Sequence, residues 1–428
     1  MAFRIGFARK DITPAVGGHL YGYHDKIFST GINDRLFTTA VCFADDTLKI
    51  LFISCDVCLI QNALSDRIRR LLAEQENLAF DNIFLHATHT HTGPNTAGEI
   101  GWGELDTAYC ETVFIPQILS AAQQACNSLV CARMGVGTAE SRVGINRRQL
   151  CTDGRVELGQ NPWGTFDPTM TVLSFVNSEN KNILNLIHYG AHNTACGTDT
   201  LISRDWCGVM VDRLAHESGA VTLYCNGCEG DTGPRLANGQ TVGNTQYAME
   251  LGGLAGMDAV RAWKNIKTYT EPTLRVRSVC AHIPLQPRIP LQQAKDGYEA
   301  FKHYEVNLER QTANFYKNVI TSYEEGITES KETDISITLV QLGNTVFVPF
   351  AFEMFTEISL RLQAAHPQKN VLCMSNTNGN NSYFPSADQI IRGGYEVQMF
   401  KTGNGVQSPV DNADNYLVRA IAEKMEEL

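Results

Sequence analysis

The chain has 428 residues, of which 43% are hydrophobic and 19% charged, and carries a formal net charge of −11. This composition excludes a disordered chain, and the length allows one large domain or two to three smaller ones. The negative balance argues against a nucleic-acid partner, because phosphate contacts need clustered Lys and Arg.

The chain opens on MAFRIGFARKDITP, which lacks the basic segment and long apolar run of a signal peptide. No window reaches the roughly 18 apolar residues of a membrane span. The 13 cysteines are odd in number and scattered through apolar runs such as LKILFISCDVCLI. Without an export signal they read as free thiols, so the expectation is a cytoplasmic protein with no stable membrane anchor.

In chain order, the first strands are FTTAVCFAD, LKILFISC and NIFLHATH, rich in β-branched and aromatic residues. Leu64, Ile68, Leu71 and Leu72 then fall on one face of a helix. A helix near 107–129 follows. The strands MTVLSFV, ILNLIHYG and AVTLYCN come next, with helices near 206–217 and 244–264. Past PLQPRIPLQQ lies a charged, helix-like stretch from about Leu291 to Glu325. It reads as a helical excursion from the same domain, in competition with a linker to a second one. SITLVQL, TVFVPF and NVLCMS complete the strands, with helices near 353–365 and 412–427. No internal repeat is evident. Strands interleaved with helices predict an α/β fold, with mixed β-sheets flanked by helices in a single large domain spanning 1–428.

HATHTHTGPN, His86 through Asn95, places three of the chain's 11 histidines within six residues. Strand alternation puts His89 and His91 on one face and His86 on the other. Such a pair can aim at one small volume at a strand end, where TGPN releases the chain. An ordinary polar strand end competes on even terms, and a metal needs further ligands. His188 lies inside an apolar strand and reads as a core residue. His192 follows YGA at a strand end, Glu353 is the first acid after an apolar run, and Tyr383 sits in an Asn- and Gly-rich loop. Taken singly, each favours a bland role; for Glu353 that role is electrostatic support of a helix N-terminus. CDVC (Cys55, Cys58) and CNGC (Cys225, Cys228) raise a four-thiolate zinc site. The 167 positions between the pairs (225 − 58) compare poorly with the roughly 15–20 of a zinc ribbon, so buried thiols are preferred. Asp56 reads either as a strand-ending acid or as a group orienting a metal-bound histidine.

Taken in order, GFARKDITP, ATHTHTGP, GAHNTACGTDTLISRDWCG, NGCEGDTGP, the strand ending before Glu353 and SYFPSADQIIRGGYE resemble the neutral, non-lysosomal ceramidase family. The resemblance runs from about residue 4 to about residue 400. It implies the family's catalytic domain alone, without its C-terminal immunoglobulin-like domain. It also implies one Zn2+ ion held by His89, His192, Glu353 and Tyr383. By the same resemblance His91 lies beside the metal and hydrogen-bonds the reacting group, and Arg147 lies near the substrate. The family's serine falls on Gly233 in GDTGP, which favours metal-activated water over a serine nucleophile. Asp231 in the same loop is a candidate general base, with a turn aspartate as the equal competitor. The implied activity is that of a zinc-dependent amidohydrolase cleaving an amide or related acyl bond in a soluble, small-molecule N-acyl substrate. Two alternatives stay open: a deacylase of N-acyl sugars or amino compounds, and a non-catalytic, metal-containing relative that binds a ligand.

Overall fold

The computed structural model describes residues 2–23, 27–403 and 405–428. Its three larger sheets follow one plan. In the first, Arg4–Asp11, Phe37–Ala44 and Lys49–Cys55 form an antiparallel meander. The helix Asn62–Glu76 then crosses over, and Ile83–Ala87 pairs in parallel with Lys49–Cys55. In the second, Arg133–Glu140, Thr169–Val176 and Asn182–Tyr189 form the meander, and Val221–Asn226 adds in parallel after the helix Asp205–Ser218. In the third, the meander is Leu274–Pro284, Glu332–Leu342 and Thr345–Pro349, the helix is Thr356–Ala365, and Asn370–Met374 is the parallel strand. Each unit ends in a helix packed on its own meander: Ile115–Asn127, Thr245–Lys264 and Ala413–Met425.

The chain is therefore a threefold structural repeat, although its sequence reads as non-repetitive. Topology needs only the same order of apolar strand and amphipathic helix, and that order survives the loss of residue identity. Both faces of each sheet are buried along its central strands, while the first strand of the third sheet, Leu274–Pro284, alternates buried and exposed residues. The inner faces meet in one core, where Phe43 and Phe84, Phe175 and Leu223, and Phe347 and Leu372 come from the first, second and third sheets. The outer faces lie under helices: Ile68 and Leu72, with Ile118 and Ala122, cover Leu51 and Ile53 in the first unit. Burial on both sides explains why LKILFISC reads as a continuous apolar run rather than an alternating one.

Each meander carries a long insertion between its first and second strands: residues 12–36, 141–168 and 285–331. The third holds the helices Leu291–Phe301 and Asn307–Glu324. Antiparallel pairing puts each insertion at the same sheet edge as the carboxyl ends of that unit's two parallel strands. In sheets of this kind ligands bind at that edge.

Candidate metal centre and active site

The candidate ligands follow strand ends in all three units. His89 comes after Ile83–Ala87, His192 after Asn182–Tyr189, Glu353 after Thr345–Pro349 and Tyr383 after Asn370–Met374. His192 Nε2 lies 3.0 Å and His89 Nε2 3.5 Å from Glu353 Oε2. The three ligand atoms are within 4.8 Å of one another, and all three residues are buried. Glu353 does not start a helix, as its sequence context suggests. Glu353–Met354 pairs in parallel with Tyr383–Phe384, Glu353 opposite Tyr383, and the helix begins at Thr356. The strand expected to run to His89 stops at Ala87, and His89 is left-handed, with φ of 72°. Strand alternation therefore does not bring His89 and His91 together. A strained turn does, leaving their Nε2 atoms 3.1 Å apart. Gly22 allows the close approach of a neighbouring loop, since a Cβ there would lie 2.4 Å from His91 Nδ1.

The charge pattern suits a cation. Nδ1–H of His89 donates to the Cys58 carbonyl at 3.1 Å, and that of His192 to the Glu229 carbonyl at 2.8 Å. These bonds assign the tautomers and turn both Nε2 lone pairs toward Glu353. Burial holds His89, His91 and His192 well below the usual imidazole range, so the rings are neutral. His192 Nε2 and Glu353 Oε2 are then two buried acceptors facing each other, with no hydrogen-bond partner. Leaving such groups unsatisfied costs about 1–3 kcal/mol each, and a cation between them removes that cost. Two imidazoles, a carboxylate and a neighbouring phenol form a donor set suited to zinc. Burial, then the Glu353 carboxylate, pushes the Tyr383 phenol well above its ordinary value, and Arg147 opposes them. Arg147 Nη2 donates to the Tyr383 oxygen at 3.0 Å.

A cavity of about 410 Å³ opens beside this cluster, lined in part by Tyr23, His91, Trp102, Arg147, Tyr383 and Tyr395. All three insertions reach it, through Tyr23, Arg147 and Leu308. Arg147 is anchored by Nε donating to Glu396 at 2.9 Å, while Arg148 binds the second oxygen of the same carboxylate at 2.5 Å. A second cavity of about 490 Å³, lined in part by Phe352 and Phe400, contains none of the candidate ligands.

The structure brings His89, His91, His192, Glu353, Tyr383 and Arg147 together, but not Asp231. One Asp231 oxygen accepts from the backbone N and Oγ1 of Thr356 at 2.9 and 2.8 Å, and the other faces Asn146 Nδ2 at 3.4 Å. Asp231 holds the first turn of the Thr356–Ala365 helix instead of facing the cavity. Asp56 likewise binds Phe37 N at 2.9 Å and Thr88 Oγ1 at 3.4 Å, not a histidine. At Gly233 a Cβ would meet Thr241 Cβ and Cγ2 at 2.8 Å, so Thr241 fills the space a serine would need. Cys55, Cys58, Cys225 and Cys228 are buried free thiols. Cys58 adjoins His89 and His91, but burial pushes its thiol well above the ordinary value. Among the described residues no ligand-distance group contains Cys225 or Cys228. Sequence reasoning missed the orienting carbonyls of Cys58 and Glu229, which carry no side-chain signal, and the anchor Glu396.

Comparison with known proteins places these features in context. The profile of the family described as neutral/alkaline non-lysosomal ceramidase, N-terminal, matches residues 3–248. The neutral ceramidase of Pseudomonas aeruginosa is 25% identical over 251 residues, a match covering 55% of this chain and 38% of that protein. The chain thus spans well under two thirds of that curated relative. The crystal structure of the Pseudomonas aeruginosa neutral ceramidase superposes with a TM-score of 0.75 at 19% identity, over 100% of this chain and 75% of that one. A structure of ceramidase complexed with C2 gives a TM-score of 0.72 at 18% identity, over 100% and 76%. Among the described residues no helix is long and apolar enough to cross a membrane.

Proposed function

The chain belongs to the neutral/alkaline non-lysosomal ceramidase family, and from that premise we propose that it is a zinc-dependent hydrolase cleaving an amide or related acyl bond in a small N-acyl substrate. The observation that carries this reading is the facing pair of orphaned acceptors, His192 Nε2 and Glu353 Oε2, beside His89. One ion would be held by His89, His192, Glu353 and Tyr383, and the three units would act as one catalytic domain around it. When bound, zinc lowers the pKa of water to about 7 and polarises a carbonyl.

The remaining chemistry belongs to the chain's own residues. The carbonyls of Cys58 and Glu229 fix the tautomers of the two ligand histidines. His91, on the cavity wall next to His89, is the proposed donor to the oxygen that becomes negative in the transition state; losing such a donor typically costs on the order of 10²–10³ in rate. Arg147, braced by Glu396, donates to the Tyr383 oxygen, which favours the phenolate form, and holds a polar part of the substrate. Water is the proposed nucleophile, because Thr241 occupies the space beside Gly233. Asp231 is proposed as a positioning residue rather than a base.

The cavity volume of about 410 Å³ suits one compact molecule, since pockets of about 300–1,000 Å³ hold ligands of drug size. Arg147, Gln240, Thr241 and Asn307 make part of its wall polar. Tyr23, Trp102, Leu158, Val242 and Leu308 make the larger part apolar, so the wall suits a substrate that joins an apolar acyl group to a polar head, and deacylation of an N-acyl amino compound or sugar is the specific form proposed. The unpaired cysteines favour a reducing compartment such as the cytoplasm. The test is turnover of N-acyl compounds of varied chain length and head group by the zinc-loaded protein. Hydrolysis of N-acyl substrates that pair an apolar acyl group with a polar head is expected, with loss of both zinc and turnover in His89→Ala. Tight binding of such compounds with no turnover would replace the hydrolase with the non-catalytic, ligand-binding relative.

A further inference from the structure

The root of the third insertion carries a second set of ligand-type side chains that the catalytic reading does not use. Leu274–Pro284 pairs with Glu332–Leu342 along its whole length, with His282 opposite Asp334, Cys280 opposite Ser336 and Pro284 opposite Glu332. The next strand, Thr345–Pro349, pairs only with Val340–Leu342. Residues 280–284 and 332–336 therefore form a two-stranded ribbon extending beyond the sheet. Ala281 and Ile283 point toward the covering helices, while Cys280, His282, Glu332 and Asp334 stand exposed on the opposite face. His282 Nδ1 is 2.7 Å from Asp334 Oδ1 and 3.8 Å from Glu332 Oε1. The ligand atoms of Cys280, His282 and Asp334 lie within 4.8 Å of one another.

We propose that Cys280, His282 and Asp334, with Glu332 as the fourth ligand, form a second binding site for a zinc-class divalent cation that clamps the two strands at the root of the insertion. A thiolate beside an imidazole selects zinc-class ions over magnesium or calcium, which take oxygen ligands. Tetrahedral coordination with bonds of about 2.0–2.3 Å needs donor separations of roughly 3.3–3.8 Å. The observed separations bracket that range, so rotamer changes of exposed side chains complete the site. The pairing register already fixes the Cβ positions, and the ligands come from both strands. A two-stranded ribbon is marginal in water by itself. This one carries residues 285–331, whose Asn307 and Leu308 wall the active-site cavity. An ion bonded to both strands would hold the register of the ribbon and, through it, the placement of that wall.

The proposal is independent of the catalytic ion, and one experiment separates them. The whole protein is stripped with a chelator and titrated with Zn2+ by calorimetry, and with Co2+ by absorbance. Wild type is expected to take two equivalents, Cys280→Ser/His282→Gln one, and His192→Ala one. A thiolate-to-cobalt absorption band should vanish in Cys280→Ser, whose exposed position leaves folding intact. Backbone hydrogen exchange at 280–284 and 332–336 should slow several-fold on adding Zn2+ to wild type, but not to the double variant. Equal stoichiometry in wild type and double variant, or a cobalt band that persists in Cys280→Ser, overturns the proposal. A single equivalent lost only in Cys280→Ser keeps it and removes the catalytic ion instead.

Discussion

His89 reaches the ligand cluster through a left-handed backbone, a strained conformation for a residue with a Cβ, held by its N–H bonding to the Val57 carbonyl at 2.9 Å. Removing this imidazole or that of His192 should abolish metal binding at the cluster. The accompanying rate loss should exceed the roughly 10–100-fold typical of outer-shell changes; elemental analysis and kinetics on His89→Ala and His192→Ala check both. Gly233→Ser is expected to destabilise by about 1–3 kcal/mol through overpacking against Thr241. Adding Thr241→Gly should recover most of that loss in urea denaturation, and a single variant as stable as wild type would mean that Thr241 yields freely. Asp56 sets a pH prediction. Burial raises its carboxyl from 3.8 to about 6, against the pull of Arg204 and Arg9. The folded state therefore binds more protons than the unfolded state between about pH 4 and pH 6. This contribution is fully present below the unfolded value and is lost as pH rises through about 6, amounting to about 3 kcal/mol. Wild-type stability should accordingly fall relative to Asp56→Asn over that range. A flat difference between the two proteins would show that the Asp56 carboxyl is not raised.

At the scale of elements, the ligands sit where strands stop, so errors in strand ends become errors in the site. The periodicity of Leu64, Ile68 and Leu72 identifies a helix that exists, Asn62–Glu76, with those residues buried. The stretch after VFVPF reads as the start of a helix. In the fold Glu353 is drawn instead into a two-residue parallel pairing with Tyr383, and the helix begins three residues later. No local pattern announces that pairing, because the partner lies 30 positions away (383 − 353). Asp231 then secures the start of the helix. Asp231→Ala should cost about 1–2 kcal/mol, as the loss of a capping side chain does. It should also weaken metal affinity, since Glu353 lies three residues before that first turn; chemical denaturation and metal titration of one variant read both effects. Full stability with normal affinity in Asp231→Ala would reject this role. Arg147→Lys should lower kcat more than it raises KM. Lysine offers one ammonium where the guanidinium spans Glu396 and Tyr383 with separate nitrogens.

At the scale of the molecule, three units of like topology meet in one core, and each contributes a candidate ligand at the shared edge: His89, His192 and Glu353. A cation there would bridge units that are otherwise joined by packing. A ligand present at 1,000 times its Kd adds about 4 kcal/mol to the stability of the state that binds it. Chelation should therefore lower the Tm of wild type by more than that of His192→Ala, measured side by side by calorimetry. Identical shifts would place the ion outside this cluster. The three insertions explain how one edge becomes a pocket: each unit extends a loop over it, and the helical stretch near 291–325 is the longest of these loops.

Composition, apolar runs and helix periodicity determined the α/β class and most element cores, because burial leaves a local mark wherever it is continuous. The ordered motifs from ATHTHTGP to SYFPSADQ pointed to the family and to the residues that now lie together. The threefold repeat, the pairing of Glu353 with Tyr383, the withdrawal of Asp231 from the cavity and the filling of the Gly233 site by Thr241 came only from the tertiary structure. Each depends on which distant segments pack together, and a contact between residues far apart in the chain leaves no periodicity in either one.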